Sequence, residues 1–294
     1  MFDKIKLGIL VYEKDTNGDC INIGDYIQSL SQINLYRQLL ADFYNEKIPF
    51  EIFFNCILNN RKFKDFNFTF VKRDKLSETT ETTFLILNGW FMHSSNGIID
   101  WPPPKNIIPL FISFHIFSKQ IVNHQNIEYL KKHEPIGCRD EYTHDLLSKL
   151  GVSTYLSGCC SLTIDFLKWD GKQCSDKILN VDVEVDKEIN CDFMQQWFCG
   201  CKNLTHEDLF RLSLKILKKY TEYKKVITNR LHTYLPCVAM NVPVTFIDLD
   251  KSVYIGHRPL NRFGGLINKN QKIYENYKKI IISKLKLKFD ELFL

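Results

Sequence analysis

The 294-residue chain has no run approaching the ~18 uninterrupted apolar residues of a membrane-spanning helix. Its opening, MFDKIKLGILVYEKD, has no apolar core followed by a small-residue cleavage site, so a cytoplasmic chain is expected. Neither a G-x-G-x-x-G turn nor a lysine-bearing phosphate loop is present, which weakens any nucleotide-binding reading. Paired C-x-x-C spacing is missing as well. The densest thiol cluster, Cys191, Cys199 and Cys201 with His206 nearby, has zinc-ligand residue types without zinc-site spacing, so no metal is expected. The ten cysteines of a leaderless chain this long are expected to be reduced, and the sequons at Asn67 and Asn203 idle. No basic, aromatic-interleaved groove is visible, which argues against a nucleic-acid partner.

What is present is apolar mass, 45% of residues, enough for one large core or two ordinary ones. The net charge of +5 sits at one end, where seven Lys face three acids from Lys269 onwards. There Tyr274, Tyr277, Ile281, Leu285, Phe289 and Leu292 recur at helical spacing, predicting a last helix packed back on the body. Its basic outer side suggests peripheral membrane contact as a further role.

Continuous apolar runs elsewhere predict buried strands of a parallel sheet: IKLGILVY (5–12), FEIFFNCIL (50–58), TFLILNG (83–89) and IIPLFISFHI (107–116). A helix is expected over 25–44 and another over HDLLSKLG (144–151), ending on a glycine cap. After the strand-like STYLSG and ILNVDVEVD (178–186), Thr205 and Asp208 suggest a capping box for a helix reaching about Tyr220. KKVITN, LHTYLPCVAMN and VPVTFIDLD then read as strand, helix, strand. The expected fold class is α/β, as two Rossmann-like domains joined near residue 155 and facing across a cleft.

In such sheets ligands bind beyond the carboxyl ends of strands, where helix N-termini attract anions. VITN ends in that position, so Arg230 and His232 pair a forked cation with a group that titrates near neutrality. The plainer alternative has Arg230 paired with an acid and His232 capping its own helix. Arg139 precedes a helix that Asp140 or Thr143 caps, and an Arg/Asp pair is the competing reading there. The polar loop YEKDTNGDCINIGD (12–25) could wrap a ligand, and His93 and His115 stand at strand ends.

Together, NIGDYIQ (22–28), IGCRDEYTHDLLSKLGV (136–152), SGCCSLTI (157–164), VITNRLHTYLPCVAMNVPV (226–244) and NRFGGL (261–266) resemble the polysaccharide pyruvyl transferase family, in its order. The resemblance implies a GT-B-like fold: residues 1–155 on the acceptor side, 156–268 on the donor side, and a basic amphipathic helix over 269–294. It implies transfer of the enolpyruvyl group of phosphoenolpyruvate to two hydroxyls of a sugar or oligosaccharide, free or lipid- or nucleotide-linked, giving a cyclic pyruvate ketal and phosphate without a cofactor. Arg139 matches the family's R-D segment, and Arg230, Leu231 and His232 its R-L-H donor motif. Arg262 is a further donor candidate, and Asn22, Asp25 and His93 are acceptor candidates. The alternatives are a GT-B-type glycosyltransferase using a sugar nucleotide and an inactive glycan-binding homologue.

Overall fold

The structure, a computed structural model, describes residues 4–91, 100–116, 122–172, 175–184, 190–248 and 263–294. The first apolar run forms β1 (Lys6–Val11), and the polar loop returns through β2 (Cys20–Asn22) into α1 (Ile23–Phe43). Asn22 caps α1 by accepting the Gly24 N–H at 3.1 Å. α1 is buried nearly all round, so its polar side chains must find partners inside. Gln32 accepts the Leu10 N–H and donates to Ile86 O, and Asn34 donates to Thr163 O.

FEIFFNCIL is a helix, α2 (Phe50–Leu58), not the expected strand. Phe50, Phe53, Phe54, Ile57 and Leu58 are buried at helical spacing while Ile52 stays 61% exposed. A continuous apolar run satisfies both periods, and the preceding Pro49 supplies the extended N-cap. β3 (Phe68–Lys72) follows, a strand the apolar pattern does not announce. TFLILNG splits into β4 (Thr83–Ile86) and β5 (Gly89–Phe91), and IIPLFISFHI into β6 (Ile107–Leu110) and β7 (Phe114–Ile116). Gly89, at φ +146°, and Ser113, at φ +60°, turn the two chains from one sheet into the next.

The first half ends with α3 (His124–Lys131), β8 (Ile136–Cys138), α4 (Glu141–Lys149) and β9 (Thr154–Leu156), with Gly151 at φ +75° beyond α4. In the second half come β10 (Ser175–Val181), β11 (Cys191–Met194), β12 (Trp197–Cys199), α5 (His206–Tyr220), β13 (Tyr223–Thr228), α6 (Leu231–Met240) and β14 (Val244–Phe246). The expected capping box is there: Thr205 and Asp208 exchange both hydrogen bonds at the start of α5. Finally α7 (Gln271–Phe293) buries Tyr274, Tyr277, Ile281, Leu285, Phe289 and Phe293 against the body. Its apolar stripe is thereby occupied, leaving Ile282 and Leu287 exposed on the basic outer side. No helix among the described residues is long and apolar enough to cross a membrane.

Three parallel four-stranded sheets result, in the orders β3-β1-β4-β6, β5-β7-β8-β9 and β11-β10-β13-β14. With seven helices among the described residues, the fold is mixed α/β with several parallel sheets. Among the named strands, the one ladder joining the two halves is antiparallel, β2 with β12. It sets Cys20 opposite Cys199 with Cα atoms 4.1 Å apart, and the two form a disulfide. The expectation of wholly reduced thiols fails at this pair, because two cysteines 179 residues apart meet on one rung.

Candidate active site

The ends of β8, β13 and β14 and the starts of α1 and α6 converge on one cavity. β13 ends at Thr228, whose hydroxyl accepts the Arg230 N–H at 2.9 Å and so sets the turn into α6. Arg230 is the N-cap residue of α6, with Leu231 and His232 in the first turn. All three line the cavity, which therefore faces the positive end of a ten-residue helix. Arg230 Nε donates to Asp182 Oδ2 at 2.7 Å, so part of the plainer reading holds. The two Nη groups make no hydrogen bond among the described residues.

Arg139 lies at the end of β8 and reaches the same cavity, only 3% exposed. Its Nε bonds Asp140 Oδ2 at 3.2 Å, and Asp140 caps α4 through the Thr143 N–H. This Arg/Asp pair is a buried one, not a surface one. His115 Nδ1 approaches Asp140 Oδ2 at 2.5 Å and Thr143 Oγ1 at 3.0 Å, which places His115 in a buried structural network. Burial would raise the Asp140 carboxyl, but His115 and Arg139 hold it below the ordinary range.

His232 is 8% exposed, and its Nε2 has no hydrogen-bond partner among the described residues. Burial, reinforced by the positive charge of Arg139, pushes its pKa down to about 3. The imidazole is therefore neutral at pH 7. Asp25, in the first turn of α1, behaves oppositely. Burial raises it to about 6, against the pull of Arg73 and Arg139 and with the help of Asp74. Asn22, Asp25, Gln196, Asn229 and Asp248 supply the polar lining, and Trp90, Phe246, Ile247 and Phe263 the apolar one. The space is about 750 Å³ with its open mouth included.

Of the candidate residues, Asn22, Asp25, Arg139, Arg230, Leu231 and His232 share this one cavity. His93 and Arg262 lie outside the described residues. The thiol cluster disperses: Cys199 is bridged, Cys201 donates to Asp19 O, and His206 Nδ1 bonds the Tyr26 hydroxyl at 2.6 Å. No group of three or more His, Cys, Asp or Glu among the described residues could hold a metal ion.

A sequence model of polysaccharide pyruvyl transferases matches residues 22–251, most of the chain and every lining residue but Phe263. The chain belongs to the polysaccharide pyruvyl transferase family. No curated protein matches the transferase at a significant level. Among solved structures it is similar to a functionally uncharacterised protein of Klebsiella pneumoniae subsp. pneumoniae NTUH-K2044. The identity is 16% and the TM-score 0.43, over 81% of this chain and 82% of that one.

Sequence reasoning missed several lining residues of the transferase. Asn229 and Asp248 follow β13 and β14, so the strand-end rule that found Arg230 could have found them. Gln196 had no such signal. It enters through the β2–β12 ladder, where it accepts the Ile23 N–H and donates to Thr233 Oγ1 at 3.0 Å.

Proposed function

We propose that this family member moves the enolpyruvyl unit of phosphoenolpyruvate onto two hydroxyls of one sugar, giving a cyclic pyruvate ketal and inorganic phosphate. The observation that carries the reading is the meeting of Arg139, Arg230 and the α6 N-terminus on one cavity with a neutral histidine and a high-pKa carboxyl. Phosphoenolpyruvate presents a carboxylate and a phosphate close together. Two guanidinium groups and a helix N-terminus neutralise such a pair, and the Nη groups of Arg230, without a hydrogen bond among the described residues, offer a bidentate fork.

Protonation of the methylene carbon makes C2 carbocation-like, and a sugar hydroxyl then adds there while losing its proton. The second hydroxyl displaces phosphate from C2, and its proton leaves with the phosphate. In this reading Asp25, with a pKa near 6, gives the proton to carbon. His232, neutral because its pKa lies near 3, takes the first hydroxyl proton. An imidazolium acid is the less suitable role for so buried a ring. The two-domain, GT-B-like arrangement with a boundary near residue 155 belongs to the same proposal. Its support is that the sheet pairings stay within residues 6–156 or 175–246, apart from the β2–β12 ladder.

The test supplies phosphoenolpyruvate with a panel of galactosides, mannosides and N-acetylhexosaminides, and follows phosphate release and the mass of a pyruvyl ketal. Phosphate released only when a sugar is present, and reduced at least a hundredfold by Arg230→Ala, is the expected result. UDP or GDP released from a sugar nucleotide instead would overturn it.

A further inference from the structure

A second cavity adjoins the first and shares Asn22, Asp25 and Trp90 with it. Its own walls include Trp197 on β12, Arg73 and Asp74 after β3, and residues 12–16 of the loop after β1. Trp197 is 49% exposed although the β2–β12 ladder sets it opposite Asn22. An indole left bare beside a cavity offers a flat apolar face to a flat apolar ligand surface, such as the C–H face of a pyranose. Asp74 is nine-tenths buried. Its Oδ1 is held by Arg73 Nε and Nη2 at 2.9 and 2.7 Å, and its Oδ2 makes no hydrogen bond among the described residues. That oxygen is an acceptor open to a donor such as a ligand hydroxyl.

The charges in this cavity are the reverse of those a phosphate needs. Glu13, Asp15, Asp25 and Asp74 line it against Lys14 and Arg73. Both cations are engaged: Lys14 Nζ donates to Lys202 O and Leu204 O, while Arg73 bonds Asp74 and Trp90 O and lies over the Tyr12 ring. The nearby N-terminus of α1 is already covered by the Asn22 side chain, with Asp25 in its first turn.

We infer that this second chamber receives the acceptor as an uncharged sugar unit of a glycan, stacked on Trp197 with a hydroxyl on Asp74, and that it rejects a nucleotide-activated sugar. The inference rests on the pyruvyl-transfer reading for what happens next, at the shared wall of Asn22 and Asp25. The binding itself does not depend on that reading.

Binding is therefore measured without turnover, by quenching of intrinsic tryptophan fluorescence and by ligand-observed NMR. The probes are the methyl glycosides of galactose, mannose and N-acetylglucosamine, with UDP-galactose beside them. At least one neutral glycoside should bind saturably, and Trp197→Ala should weaken it about tenfold, the scale of one lost aromatic contact. Trp197→Phe should restore most of the affinity, and Asp74→Asn should weaken it while leaving the far-ultraviolet spectrum unchanged. Phosphoenolpyruvate binding, followed separately by calorimetry, should be lost in Arg230→Ala and kept in Trp197→Ala. Sugar binding without phosphoenolpyruvate binding would sink the pyruvyl-transfer reading and leave this chamber standing. Tighter binding of UDP-galactose than of methyl galactoside, unchanged affinity in Trp197→Ala, or no binding by any neutral glycoside would each overturn the inference.

Discussion

His232 and Asp25 give the cavity opposite dependences on pH. The His232 pKa falls from the ordinary 6.5 to about 3 on burial, so below pH 6.5 the unfolded chain binds a proton that the folded chain refuses. Stability is full above pH 6.5 and is lost as pH falls; over the two units to pH 4.5 the loss is about 3 kcal/mol. Asp25 is raised from 3.8 to about 6, so it costs about 3 kcal/mol at pH 7 and returns about 2 kcal/mol of that by pH 4.5. In the parent protein the two slopes nearly cancel, and only variants separate them. Urea unfolding of His232→Asn and Asp25→Asn beside the parent, at pH 7 and pH 4.5, isolates each slope by linear extrapolation. His232→Asn should gain about 3 kcal/mol relative to the parent on going to pH 4.5, and Asp25→Asn should lose about 2 kcal/mol. If either variant tracks the parent within about 0.5 kcal/mol across that range, its group is not held in the stated protonation state and the proton roles assigned to it fall.

Two further outcomes concern the scaffold. Thr205→Ala removes one side of the capping box at the exposed start of α5 and should cost about 1 kcal/mol in the same unfolding assay, with turnover unchanged. Reduction by dithiothreitol opens a loop of 179 residues of sequence separation and should lower stability by roughly 5 kcal/mol on the chain-entropy account; identical urea midpoints with and without reductant would contradict it.

The Arg230 end of the cavity was legible because its physics is local. Arg230, Leu231 and His232 follow a strand and open a helix, and four adjacent residues suffice to state both facts. The Thr205 cap was legible for the same reason. Phe50–Leu58 was not, since a run apolar at every other position and at every third or fourth fits strand and helix alike until the packing partner is known. The strands over 83–89 and 107–116 were located but not divided, because their breaks lie at single residues with unusual φ. Gln196 and Trp197 stayed hidden because their neighbours lie some 170 residues away along the chain, across the β2–β12 ladder.

That short ladder and its disulfide join residues that line the two cavities. Asn22 and Trp197 share a rung, and the adjacent Gln196 accepts from Ile23 and contacts Thr233, while its own N–H donates to the Asp182 oxygen that also holds Arg230. If the inferred sugar binds on Trp197, the same hydrogen bonds connect its site to the Arg230 guanidinium. By thermodynamic reciprocity, any factor by which a ligand of one cavity changes affinity in the other is returned in full.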